Sequence, residues 1–200
     1  MTAEPAEGIN PRAVILVEGM SDRYALEVLA RRRGRNLDAE GVRVVAMKGA
    51  TNIGHFLDRY GPRGLNVTLA GLYDVPERAC FQRGLQRAGL GPALTQADME
   101  GLGFFGCADD LEDEMIRAIG VEQVEQVVAA EGELGSFRVL QRQPAQQGRS
   151  PHDQLRRFMG SKSGRKHRYG RLLAGAVDLA RVPRALDGAL IHAQAGHPVR

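Results

Sequence analysis

Residues 13–17, AVILV, form a continuous apolar run. Runs of this length with no polar interruption are the pattern of a strand buried on both faces of a parallel sheet. The run stops at Glu18-Gly19, and a helical pattern follows. Ser21 is a favourable N-cap, Tyr24, Ala25, Val28 and Leu29 share one face, and Gly34 suits the end after Arg33. The same unit recurs. VRVVAM at 42–47 predicts a second strand, followed by a turn and a short helix to Tyr60 capped by Thr51 or Asn52. NVTLAGL at 66–72 predicts a third strand, ending on Tyr73-Asp74, and then a helix to about Ala88 with Pro76 in its first turn. Residues 89–101 predict a longer connection, and LGFFGC at 102–107 a fourth strand. Asp109 or Asp110 then caps a helix reading LEDEMIRAI.

This alternation predicts an α/β fold, a parallel four-stranded sheet flanked by helices. From Val121 onward the pattern is helical, with pieces at 121–131, 134–141, 151–159 and 165–180 and a Gln-, Pro- and Gly-containing loop at 142–150. The expected organisation is a flexible tail at 1–12, an α/β core at 13–120 and a basic helical C-terminal extension at 121–200.

Composition changes this picture little. With 43% hydrophobic and 26% charged residues the chain is ordinary for a globular protein. Trp is absent and aromatics are 5%, which argues against an aromatic stacking platform for nucleic acid. Cys80 and Cys107 lie far apart without metal spacing and predict reduced thiols. No stretch is long and apolar enough to span a membrane, and MTAEPAEGINPR lacks an apolar signal core, so the expected location is cytoplasmic.

The net charge of +3 hides an uneven distribution. Between Asp98 and Glu133 there are eleven acids and one Arg; between Gln141 and Arg171 there are nine Lys or Arg and one acid. Two solvated helical surfaces would explain this. So would an acidic metal-binding region beside a basic phosphate-binding one.

The placement of acids against the strands is more specific. Ligand sites of open α/β sheets lie beyond the carboxyl ends of the strands. Glu18 follows the first strand, Asp74 the third, and Asp109, Asp110 and Glu112 the fourth, while Asp22 lies one helical turn past Glu18. Carboxylates gathered this closely raise one another's pKa, and a divalent cation relieves the repulsion. Oxygen ligands suit Mg²⁺ or Mn²⁺. Asp74, Asp109 and Asp110 could equally be helix caps, but Glu is a poor cap, so Glu18 asks for another explanation. Asp113 and Glu114 are expected to be solvated. No P-loop, nucleophile elbow or serine triad pattern is present, and GSKSGRK at 160–166 lacks P-loop spacing. His55, His152, His167, His192 and His197 are scattered and read as surface or satisfied histidines.

A hydrophobic strand ending in Glu-Gly, an Asp four residues later, and an Asp at the end of a later strand resemble the Toprim domain. The subtype is similar to the Toprim portion of the overcoming-lysogenization-defect (OLD) nucleases, with E-G-x-S-D as Glu18-Gly19-Met20-Ser21-Asp22, D-L-E as Asp110-Leu111-Glu112, and a Gly-Lys region as SGRKHRYGRLL. The resemblance covers roughly residues 12–180. It implies that Glu18, Asp22, Asp74 and Glu112 hold Mg²⁺ or Mn²⁺, and that Lys166, or in its place Lys162, assists at the phosphate. Two departures stand out. The usual D-x-D is here Asp74-Val75-Pro76, with Glu77 beside the gap. The family's full nucleases also carry an ATPase domain ahead of the Toprim, so any ATP dependence would require a separate ATPase subunit.

The resemblance implies metal-dependent phosphodiester hydrolysis or nucleotidyl transfer on nucleic acid, DNA before RNA. Arg156, Arg157, Lys162, Arg165 and Arg168 are the candidate backbone contacts, since lysine and arginine bind phosphates without reading sequence. The alternatives are a non-catalytic nucleic-acid-binding module and a subunit active only beside a separate ATPase.

Overall fold

The computed structural model describes residues 10–196. Four strands, β1 (Ala13–Val17), β2 (Val42–Ala46), β3 (Thr68–Asp74) and β4 (Phe104–Cys107), form one parallel sheet in the order β2-β1-β3-β4. β1 is central and pairs with β2 from Ala13↔Val42 to Val17↔Ala46 and with β3 from Ala13↔Thr68 to Leu16↔Gly71. Every β1 residue is fully buried. Successive side chains of a strand point to opposite faces. Ala13, Ile15 and Val17 therefore enter one core, and Val14 and Leu16 the other.

The helices divide between the two faces. α1 (Met20–Arg32), α5 (Leu111–Ile119), α6 (Val121–Ala130), α7 (Leu134–Gln141), α8 (Pro151–Met159), α9 (Arg165–Ala176) and α10 (Arg184–Ala195) share the core of Ile15 and Val17. α2 (Ile53–Tyr60), α3 (Arg78–Arg87) and α4 (Gln96–Gly101) cover Val14, Leu16 and Phe104. All four strands thus end on one edge, from which the loops to α1, α3 and α5 depart.

The expected third strand begins two residues late. Asn66 takes a left-handed φ of 48°, and Val67 donates its N–H to the Tyr60 carbonyl (3.1 Å), so the turn consumes both residues. Asp74 is therefore the last residue of β3, paired with Cys107. α4 arises in the expected connection, and α10 lies in the expected helical extension beyond the pieces marked out there. α4 starts at Thr95, whose hydroxyl accepts from Asp98 N (3.2 Å) while Asp98 accepts from Thr95 N (2.8 Å). α10 lies on the sheet through Ala185, Leu186, Ala189, Leu190 and Ala193. The helix expected over 165–180 stops at Ala176, where Arg32 donates to the carbonyls of Ala174 (2.9 Å) and Val177 (2.6 Å).

Residues 1–9 of the expected tail and 197–200 of the expected extension lie outside the described residues. Pro11 is buried, and Arg12 donates to the carbonyls of Glu40 (3.1 Å) and Ala193 (3.1 Å).

Candidate functional site

The carboxyl edge of the sheet opens on a pocket of about 230 Å³ lined by Glu18, Gly19, Met20, Ser21, Asp22, Gly49, Asp74, Leu111, Lys166 and His167. A water occupies about 30 Å³ of liquid, so the pocket has room for a phosphate group with part of its hydration shell.

Local chemistry positions each wall. Glu18 is the first residue past β1, and its Oε1 accepts from the Asp74 N–H (3.2 Å), which ties the ends of β1 and β3 together. Gly49, at φ 121°, donates its N–H to the Glu18 carbonyl (3.1 Å), bringing in the loop after β2. The cap of α1 is Gly19 and not the expected Ser21, which is buried inside the first turn. Asp22 Oδ2 accepts from Gly19 N (2.8 Å). One Asp22 oxygen thus starts the helix, and the helix holds the carboxylate at the pocket wall. Asp110, not Asp109, caps α5, with Oδ1 accepting from Asp113 N (2.9 Å). α9 reaches the site because Gly170 faces Ser21: a Cβ there would stand 2.8 Å from the Ser21 carbonyl oxygen. That close approach sets Lys166, one turn earlier, at the pocket.

Glu112 does not line the pocket; it lies behind Lys166. It is 3% exposed, both carboxylate oxygens are buried without a hydrogen bond, and Lys166 Nζ stands 3.0 Å from Oε2 as an ion pair. Among the described residues no three His, Cys, Asp or Glu side chains converge as a ready-made metal-binding group.

The electrostatics are lopsided. Burial, with the charges of Glu18, Asp22 and Asp110, raises Asp74 to about 8. Burial also raises Glu112 to about 7, against the pull of Lys166. Burial raises Glu18 and Asp22 as well, with the Asp22 and Glu77 charges adding at Glu18. Burial alone would lower Lys166, but Glu112, Asp110 and Asp22 outweigh it and raise its pKa. Glu77, exposed at the end of the 3-10 turn Val75–Glu77, is thus felt at Glu18 even though Pro76 separates it from Asp74. The donor set fits a hard divalent cation. It comprises oxygen ligands only, more negative charge than one lysine balances, and a buried carboxylate with no hydrogen bond.

The expected backbone contacts fare unevenly. Arg156 donates from Nε to Asp110 Oδ2 (2.9 Å) and from Nη1 to Asp109 Oδ2 (3.2 Å). Arg165 is buried and donates to Glu133 Oε1 (2.9 Å), Ser161 Oγ (2.8 Å) and the Phe158 carbonyl (3.2 Å). Arg168 pairs with Glu133 and Glu131. These three are paired with acids of the fold, Arg165 buried and Arg168 exposed. Arg157 and Lys162 are exposed.

Asp113 and Glu114 are not solvated as expected. Asp113 is 4% exposed and held by Arg117 and by His152 Nε2 (2.7 Å), and Glu114 accepts from Ala108 N (2.9 Å). His152 therefore joins α8 to α5 beside the site acids. The contact between Tyr24 and Arg171 escaped the sequence reading, which offered only their proximity to Asp22 and Lys166 as a signal. Arg171 Cζ lies 3.5 Å from the centroid of the Tyr24 ring.

Residues 11–75 match the family model described as overcoming lysogenization defect protein-like, TOPRIM domain. Among solved structures, the C-terminal region of the Burkholderia pseudomallei OLD protein superposes with a TM-score of 0.73 at 22% identity, covering 94% of this chain and 98% of that one. The C-terminal region of the Xanthomonas campestris pv. campestris OLD protein gives 0.72 at 26% identity, covering 92% and 93%. No curated protein matches the sequence. No helix among the described residues is long and apolar enough to cross a membrane. Residues 11–75 are thus similar to the OLD-like Toprim domain, and the chain shares the fold of the C-terminal region of OLD proteins.

Proposed function

We propose that this protein is a Mg²⁺- or Mn²⁺-dependent phosphodiester hydrolase acting on DNA. The observation that carries the reading is the pocket at the strand ends, where Glu18, Asp22 and Asp74 face a single cation, Lys166, backed by the buried Glu112. Glu18, Asp22 and Asp74 would hold the metal, and Glu112, behind Lys166, would hold the lysine in place. Such an ion supplies Lewis-acid stabilisation of phosphate charge and eases deprotonation of water. The chain's own residues do the rest. The Asp74 N–H fixes the Glu18 carboxylate, Asp22 is held by the N-terminus of α1, and Lys166, kept protonated by Glu112, places positive charge where the transition state accumulates negative charge.

The test is cleavage of supercoiled plasmid with Mg²⁺, Mn²⁺ or EDTA. We expect metal-dependent nicking that Glu18→Ala abolishes and that Lys166→Ala slows about a hundredfold with a much smaller change in DNA binding. Cleavage that survives Glu18→Ala would overturn the site. The absent second acid after Asp74 favours one further reading, a non-catalytic nucleic-acid-binding module. DNA binding without cleavage at any divalent metal would establish it.

A further inference from the structure

Four of the nine basic residues between Gln141 and Arg171 are paired with acids of the fold. On α9, Arg165 is taken by Glu133, Lys166 by Glu112, and Arg168 by Glu133 and Glu131; on α8, Arg156 is taken by Asp109 and Asp110; on α1, Arg23 is taken by Glu27 (2.7 Å). Arg171 is the exception near the pocket. It is exposed, and among the described residues no acid stands within ion-pair distance of it. Its position follows from the seam between α1 and α9. Met20 and His167 line the pocket. Tyr24 and Arg171 are each four residues further along the same two helices, about 6 Å outward at 1.5 Å per residue. His167 meets Tyr24 edge-on, with centroids 6.4 Å apart. Pocket, His167, Tyr24 and Arg171 therefore form one continuous strip.

The stacking matters chemically. A guanidinium centred over an aromatic ring is restrained by cation–π attraction while its N–H donors remain unspent on the ring's edge. That geometry leaves the donors ready for a phosphate at little further entropic cost. A polyanion also needs such help here, because the pocket acids repel it.

We propose that the α1–α9 seam carries a DNA strand out of the pocket, with Arg171, braced by Tyr24, binding a backbone phosphate next to the one that Lys166 faces. The proposal rests on the reading of the site as one that acts on DNA. Arg157, on α8, and Lys162, in the turn between α8 and α9, are also exposed but lie off the α1–α9 seam and serve as the contrast.

The experiment is fluorescence anisotropy of a labelled single-stranded DNA across a salt series, with Ca²⁺ replacing Mg²⁺. Arg171→Ala is expected to weaken binding about tenfold and to reduce the slope of log affinity against log salt by about 0.7, the loss of one single-strand phosphate contact. Tyr24→Ala should reproduce part of the loss, and Tyr24→Phe, which keeps the ring, should retain wild-type affinity. Unchanged affinity and slope for Arg171→Ala, with a loss for Arg157→Ala or Lys162→Ala, would overturn the seam as the path while leaving the site reading intact. Failure of the wild-type protein to bind DNA at any salt would overturn both.

Discussion

Two ionic clusters hang on the first turns of α9, one holding Arg165, Arg168 and Tyr169 and the other Lys166, and they are built on opposite terms. At Glu133 a single carboxylate receives Arg165 Nη2 (2.9 Å), Tyr169 Oη (3.1 Å) and Arg168. At the pocket a single lysine faces Glu18, Asp22, Asp74 and Glu112. Both are partly desolvated, yet their acids move in opposite directions. Burial would raise Glu133, but the hydrogen bonds from Arg165 and Tyr169 and the arginine charges outweigh it and hold the carboxyl below its ordinary range. At the pocket Lys166 and the N–H groups of Gly19 and Asp74 fall short of offsetting burial and mutual repulsion, and Asp74 rises to about 8. A charge-balanced cluster stabilises the fold that contains it. An unbalanced cluster is disfavoured in the folded chain and is explained only by what it binds. Neighbouring stretches of one basic helix thus divide into structure and chemistry according to how many acids each meets.

The largest effect should come from breaking the balanced cluster. Glu133→Ala leaves Arg165, 8% exposed at its side chain, as an uncompensated buried cation. We expect a loss of about 3 kcal/mol in unfolding free energy, read by thermal or urea denaturation. The pH dependence carries a sign. A carboxyl held below its unfolded pKa contributes stability that is fully present above that value and is lost as pH falls through the folded one. The gap between wild type and Glu133→Ala should therefore narrow below about pH 4, the ordinary range of glutamate. A gap that widened in acid would show that Glu133 is not the anion of this cluster.

A smaller effect tests the joint between the two clusters. Gly170→Ala forces α9 away from the first turn of α1, because its Cβ would lie 2.8 Å from Ser21 O and 3.1 Å from Ser21 Cα, both backbone atoms. Overpacking of this kind costs about 2 kcal/mol. It should also lower nicking by shifting Lys166 off the pocket, whereas a variant at Gly175, where a Cβ meets nothing within 4 Å, should do neither. Equal behaviour of the two variants would show that the α1–α9 seam does not set the lysine.

The sheet was legible because parallel strands buried on both faces leave an unbroken apolar signature, and β1 carries it most plainly. The strand ends then located Glu18 and Asp74. The pairing state of a charge was not legible. Arg156, Arg165 and Arg168 look alike in sequence to Arg157 and Lys162, and only the return of Asp109, Asp110 and Glu133 in space separates them. α10 escaped notice for a different reason. It approaches the sheet closely through small residues, and a Cβ at Gly188 would stand 2.5 Å from the Phe105 ring, so its buried face carries Ala and Gly where a stronger apolar signal would have shown it. Ser21 was misread as a cap because Gly19 precedes an acid that reaches back to its N–H, a pattern in which the acid and not the cap residue supplies the side chain.

The smallest effect separates the two clusters most cleanly. Asp74 sits at the end of β3 under the charges of Glu18, Asp22 and Asp110, with no cation of its own beyond the influence of Lys166. Asp74→Asn keeps the volume and removes the charge. If the pocket acids are unbalanced in the folded chain, this substitution should leave stability within about 0.5 kcal/mol of wild type or raise it, measured without divalent metal, while nicking with Mg²⁺ is lost. Glu133→Gln, the same kind of change in the balanced cluster, should destabilise and leave a folded remainder that still nicks. Were Asp74→Asn to destabilise as much as Glu133→Gln, Asp74 would be a structural acid, held in place by contacts its neutral form cannot make, and the division between the two clusters would collapse.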